Sequence, residues 1–143
     1  MSHSYNKIWI HAIYGTKDRQ PLIDASIEQK VYEQKKIELN SIGCPVRIIN
    51  GMPDHVHLLF QQNPKMAIID ILKQVKGGSS YWLNNQNLIE QKFGWQTGYA
   101  AYSVSESQLD VIHNYILNQK EHHKKRTFTQ EYERFIELHG LVV

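Results

Sequence analysis

The stretch Pro53-Asp54-His55-Val56-His57-Leu58-Leu59-Phe60 decides how this chain reads. From His55 it has β character, and strand side chains alternate between faces. His55, His57 and Leu59 therefore point one way, and Val56, Leu58 and Phe60 the other. One face suits a core, while the opposite face sets two imidazoles side by side. Imidazole is the commonest protein metal ligand and, when protonated, can hydrogen-bond a phosphate. Such a pair calls for a partner group elsewhere in the chain.

Upstream, Val46-Arg47-Ile48-Ile49-Asn50 reads as another strand and Gly51-Met52-Pro53-Asp54 as a turn, so the histidines open the second arm of a hairpin. Tyr5 to Tyr14 reads as the first strand. It carries Ile8, Ile10, Ala12 and Tyr14 on one side and Lys7, Trp9, His11 and Ile13 on the other. His11 either borders the histidine site or packs in the core or at the surface. The polar loop that follows holds Lys17 and Arg19 and is either a solvated connection or a phosphate contact. Asp24 or Ser26 is placed to cap a helix running to about Ser41, with Gly43 ending it. The mixed charges on that helix, Lys35 and Glu38 among them, read as solvated.

Downstream of the hairpin, the spacing of Ile68, Leu72, Val75 and Trp82 predicts a helix from about Lys65 to Leu83. Gly77-Gly78-Ser79-Ser80 interrupts it. Each glycine costs about 1 kcal/mol relative to alanine, so either the helix breaks or something approaches its backbone closely. Lys73 and Lys76 flank the spot. Trp95 to Val104 reads as a fourth strand, and Ser105-Glu106-Ser107-Gln108 has a capping-box pattern opening a third helix, about Glu106 to His123. Thr129 is placed to cap a short helix ending before Gly140. The order β-α-β-β-α-β-α-α predicts an α+β fold of ferredoxin-like or RNP-like type. That fold is a four-stranded antiparallel sheet with helices on one face. The other face is expected to stay open and carry His55 and His57.

At 143 residues the chain is expected to form one domain, 1–143. A net charge of +2 leaves any anion-binding surface to local clusters of Lys and Arg. The single cysteine, Cys44, excludes an internal disulfide and a cysteine-rich zinc site. No segment reads as a signal peptide or a membrane span, so a cytoplasmic protein is expected.

In the third helix Tyr115 and Gln119 lie four apart on one face, His122 continues the stripe, and Ile112 and Ile116 point nearer the core. Tyrosine can act as a covalent nucleophile. A glutamine oxygen can join two imidazoles around a hard divalent cation. Singly, each has a plainer reading: Tyr115 as a packing residue with a wet hydroxyl, His122 and His123 as an answer to the helix dipole.

Together these features resemble the single-tyrosine HUH transposases, the insertion-sequence-200-like enzymes and their repeat-associated relatives. The resemblance runs through Thr16-Lys17-Asp18-Arg19-Gln20-Pro21, Asp54-His55-Val56-His57-Leu58-Leu59 and Lys76-Gly77-Gly78-Ser79-Ser80. It continues through Trp95-Gln96-Thr97-Gly98-Tyr99 and Tyr115-Ile116-Leu117-Asn118-Gln119-Lys120-Glu121-His122-His123. It implies a DNA strand transferase with His55, His57 and Gln119 on Mg²⁺ or Mn²⁺ and Tyr115 as nucleophile on a C-terminal helix. The implied partners are single-stranded DNA hairpins at the ends of a mobile element. The implied assembly is a homodimer whose tyrosine helix can act in trans. Lys17, Arg19, Lys73 and Lys76 are the expected DNA contacts. Two other readings compete: a domesticated, non-catalytic hairpin-binding protein of the same fold, and a zinc hydrolase drawing on Asp54 or Glu121.

Overall fold

A computed structural model describes residues 3–123 and 128–138. Its elements are β1 (Trp9–Gly15), α1 (Glu28–Ser41), β2 (Val46–Met52), β3 (His55–Gln61), α2 (Ile68–Asn85), β4 (Ala100–Val104), α3 (Leu109–Leu117), α4 (Gln119–His123) and α5 (Phe128–Leu138). The strands form one antiparallel sheet in the order β2-β3-β1-β4, as the α+β reading expects. Neighbouring strands pair Gly15 with His55, Ile13 with His57 and His11 with Leu59. Residues paired in this way share a sheet face. The histidine face of β3 therefore continues across β1 onto Ala100 and Tyr102 of β4.

The alternation in the sequence divides the core in two. Ile10, Ala12, Tyr14, Val56, Leu58 and Phe60 face α1 and α2 in the larger cluster. Trp9 and Leu59 face Leu109, Ile112 and Ile116 of the tyrosine-bearing region in a smaller one. The second face is therefore not open, because α3 lies against it and buries its apolar stripe there.

Several local expectations need correction. The helix from Lys65 does not break at its glycines: α2 runs unbroken through Gly77 and Gly78. A Cβ at Gly78 would come within 2.6 Å of Glu38 Oε1 on α1, so this is a close approach, made by a neighbouring helix. The third helix is not continuous, since α3 and α4 meet at Asn118 (φ −95°, ψ 22°). Ser105 makes no capping bond, and its hydroxyl pairs with Ser107 Oγ instead. The fourth strand shortens to Ala100–Val104, and Trp95 keeps only an isolated bridge to Thr16. Thr129 lies inside α5 rather than before it. Gly43 closes α1 as expected: at φ +77° it lets Cys44 N–H reach Leu39 O. Among the described residues no helix is long and apolar enough to cross a membrane.

Candidate active site

The alternation of β3 brings His55 and His57 to the face covered by the C-terminal helices, where both are fully buried. A buried imidazole needs both ring nitrogens satisfied. For each histidine one partner of Nδ1 comes from the sheet side. His55 Nδ1 lies 2.8 Å from Asp54 Oδ1, and His57 Nδ1 lies 3.0 Å from His11 Nε2. His11 thus borders the site, fully buried and in direct contact with His57. Holding Nδ1 orients each ring and leaves Nε2 to face inward, the arrangement typical of metal-binding histidines.

Both Nε2 atoms meet one carboxylate. Glu131, from α5, lies with Oε1 3.1 Å from His57 Nε2 and Oε2 3.2 Å from His55 Nε2. Tyr115, near the end of α3, donates its hydroxyl to the same Oε1 at 3.1 Å. The Tyr115 ring stands edge-on to that of His57 at 5.8 Å between centroids. All these contacts are made within one chain. One donor atom from each of His55, His57 and Glu131 falls within 4.8 Å of the others. Two neutral-capable imidazoles and a carboxylate form a donor set suited to a divalent cation.

Burial alone would discharge this cluster. For His55 it acts to lower the pKa, but the hydrogen bonds and charges of Asp54 and Glu131 outweigh it and hold the imidazolium above its ordinary range. For Glu131, burial pushes upward and is overcome by its bonds to His55 and His57, which bring the carboxyl well below the usual carboxylate range. Asp54 is likewise lowered, burial being outweighed by His55 and then Arg19. The His55 imidazolium and the Glu131 carboxylate thus offset each other's charge across 3.2 Å inside the site.

Gln119, four residues after Tyr115, opens α4 and is fully buried. Its Nε2 reaches back to Tyr115 O at 3.4 Å. Its Oε1 is buried with no hydrogen-bond partner among the described residues. An orphaned carboxamide oxygen is an acceptor awaiting a donor or a cation. The side chains of His122 and His123 lie outside the described residues.

The four cations expected at DNA differ in environment. Lys17 and Lys73 are exposed. Lys76 is half-buried and donates to Gln96 O at 2.7 Å and Gly98 O at 2.9 Å, pinning the loop before β4. Arg19 pairs with Asp54 at 3.1 Å, one bond away from His55. Lys35, read as solvated, is instead fully buried: its Nζ donates to Tyr14 OH at 2.6 Å and Ser79 Oγ at 3.1 Å, over the Trp95 ring.

Sequence reasoning missed Glu131. No local pattern marks it, since it lies in a short polar helix and meets β3 only through tertiary packing. Asp54, adjacent to His55, enters the sequence reading as a ligand or general base of a hydrolase, whereas here it orients His55.

A family model described as "Transposase IS200 like" matches residues 4–119. The ISDra2 transposase TnpA of Deinococcus radiodurans is 30% identical over 114 residues, covering 76% of this chain and 81% of that protein. The crystal structure of a candidate transposase from Deinococcus radiodurans superposes with a TM-score of 0.64 at 26% identity, over 83% of this chain and 96% of the other. A REP-associated tyrosine transposase bound to a REP hairpin shares the fold, with a TM-score of 0.60 at 12% identity over 86% and 74% of the two chains. With its paired histidines and its tyrosine helix on one sheet face, this chain belongs to the IS200-like transposase family.

Proposed function

We propose that the protein cleaves and rejoins single-stranded DNA at the ends of a mobile element through a covalent tyrosine intermediate. The observation that carries the reading is the meeting of the Tyr115 hydroxyl and both His55 and His57 on one buried carboxylate. A phenol packed for structure alone has no need of two buried imidazoles beside it. A divalent cation held by His55, His57 and Glu131, with Gln119 Oε1 as a further donor, would act as a Lewis acid on the scissile phosphate. Mg²⁺ and Mn²⁺ fit a set that includes carboxylate and carboxamide oxygens.

The chain's own residues do the rest. Asp54 and His11 keep the two imidazoles from rotating. The Tyr115 oxygen attacks phosphorus in line, and the 3′ oxygen of the preceding nucleotide leaves and takes a proton. The product is a 5′-phosphotyrosine and a free 3′-hydroxyl. The ester retains the bond, so attack by another 3′-hydroxyl restores Tyr115 and joins new strands without ATP. A free phenol has a pKa near ~10, so holding Tyr115 against the phosphorus matters as much as ionising it.

The exposed Lys17 and Lys73 are the proposed phosphate contacts, Arg19 lies at the site's edge, and Lys76 acts through the loop it holds. Hairpins in the element's single strand are the partner, which the hairpin-bound neighbour supports. The working form is a cytoplasmic homodimer of one-domain chains. The contact of Tyr115 with its own chain's His57 favours a site completed in cis; a trans arrangement would require the helix to leave β2.

Single strands from the DNA flanking the gene, incubated with Mn²⁺, should give a covalent adduct resistant to denaturant. Tyr115→Phe should abolish it, and EDTA should prevent it. An adduct that survives Tyr115→Phe would overturn the assignment. Hairpin binding without cleavage by the wild-type protein in Mn²⁺ would favour a non-catalytic binder.

A further inference from the structure

Beside the histidines, on the same sheet face, lies a cavity of about 280 Å³ that the chemistry above does not use. Its floor is Ile13 and Ala100, and its walls are Gly15, Arg19, Gln96 and Tyr99. Ile13 is paired across the sheet with His57, and Gly15 with His55, so the cavity begins one strand away from the proposed scissile phosphate. Small-ligand pockets start near ~300 Å³. This one is of a size for a single small planar group.

Resting on the transposase reading, we propose that this cavity takes the base of one unstacked nucleotide flanking the cleaved phosphate, and that Tyr99, Arg19 and Gln96 select it. The apolar floor and the half-exposed Tyr99 suit the face of a base, because stacking on an aromatic ring is the usual way a single strand is held. The floor is wrong for a phosphate, which would lose its hydration against Ile13 and Ala100. The polar wall is rich in donors. Gln96 Oε1 accepts Gly15 N–H at 2.8 Å, so what Gln96 offers an occupant is its NH₂ group. Arg19 is a donor only, and a Cβ at Gly15 would lie 3.0 Å from its Nη1, which places that nitrogen along the Gly15 wall. A base with two acceptors on one edge fits such a wall, and guanine, with O6 and N7, fits an arginine fork best.

The cavity is shaped on purpose-built backbone. Asp18 and Arg19 both hold φ of 57°, a left-handed conformation that non-glycine residues rarely adopt. A Cβ at Gly15 would stand 2.6 Å from Gln96 Oε1 and 3.0 Å from Arg19 Nη1, so a side chain there would displace both wall residues. Lys76 holds the carbonyls of Gln96 and Gly98 and so positions the Tyr99 loop. Arg19 is tied to Asp54 Oδ2, whose other oxygen orients His55. An occupant that engages Arg19 thus bears on the histidine that faces the phosphate.

The test uses the full chain, methyl-labelled at Ile and Ala, titrated without metal by the four deoxynucleoside 5′-monophosphates. The Ile13 and Ala100 methyl signals should move, and dGMP should bind about tenfold more tightly than dAMP or dCMP. Tyr99→Ala, at a position exposed enough to leave the fold intact, should weaken dGMP about tenfold. Arg19→Lys should erase the preference for guanine, while Tyr115→Phe should leave the titration unchanged. In the adduct assay, one abasic position next to the cleaved phosphate should slow wild type about tenfold and Tyr99→Ala hardly at all. Unmoved Ile13 and Ala100 signals, or a guanine preference that survives Arg19→Lys, would overturn the proposal. The two readings separate cleanly. Adduct formation with an empty cavity leaves the transposase reading standing, and a filled cavity with no adduct on any strand counts against that reading and not against the pocket.

Discussion

Glu131 faces two histidines and a tyrosine with a single carboxylate, and this decides what removing it should do. If its oxygens are cation donors, Glu131→Ala should weaken Mn²⁺ binding by tenfold or more in calorimetric titration. Gln119→Ala should weaken it less, because a neutral carboxamide contributes no charge. Unchanged Mn²⁺ affinity in Glu131→Ala would return the third-ligand role to Gln119 alone. The same cluster sets a pH dependence. His55 is raised above its ordinary value of about 6.5. Its stabilisation is therefore complete below that value and lost as pH rises through the raised one. Asp54 and Glu131 are depressed, so theirs is complete above about pH 4 and lost as pH falls through the lowered values. Metal-free protein should melt highest between about pH 4.5 and 6.5 and at a lower temperature once pH has risen through the raised His55 value. Mn²⁺ should restore the melting point on that alkaline side, where the cation takes over the charge that the His55 imidazolium gave up.

At the scale of elements, the β2–β3 hairpin is the least forgiving part. A Cβ at Gly51 would lie 2.2 Å from His55 O and 2.9 Å from Val56 Cα, both backbone atoms that cannot move without breaking the register. Gly51→Ala should cost at least about 1–3 kcal/mol in urea unfolding. Gly77→Ala, where nothing lies within 4 Å, should instead stabilise α2 by up to about 1 kcal/mol. Lys35 ties α1 to β1, α2 and Trp95. Burial lowers its pKa well below the usual lysine value. Lys35→Ala should cost about 2–5 kcal/mol through the cavity and the abandoned Tyr14 hydroxyl. Lys35→Met, which fills the space without a charge, should cost less than about 1.5 kcal/mol.

Across the whole molecule, the tyrosine helix is carried by the edge strand β2. Arg47 binds Asp110 at 2.7 Å and His113 at 3.1 Å, and Lys120 reaches Gly51 O and pairs with Glu28 at 2.9 Å. Asn50 donates to Ile116 O at 3.0 Å and Leu117 O at 3.2 Å, where α3 ends and the chain turns into α4. These contacts hold Tyr115 against histidines that lie far from it in sequence. Asn50→Ala should speed amide exchange around residues 116–120 and slow adduct formation about tenfold or more, because small misplacements of a nucleophile are costly. Slower adduct formation without faster exchange would mean that Asn50 acts some other way.

What the sequence determined by itself is what depends on period and short range. The two-residue alternation of β3 assigned His55 and His57 to one face and Val56, Leu58 and Phe60 to the other. The four-residue step joined Tyr115 to Gln119. The same step also joins Val31, Lys35 and Leu39, and it marks Lys35 as buried, but the charge of lysine outweighed that sign. Tertiary structure alone decided that the second sheet face is covered, that Gly78 receives Glu38, and that Glu131 closes the histidine site. Each of these joins residues from elements distant in the chain, and contacts of that kind follow from how whole faces pack, which no local spacing encodes.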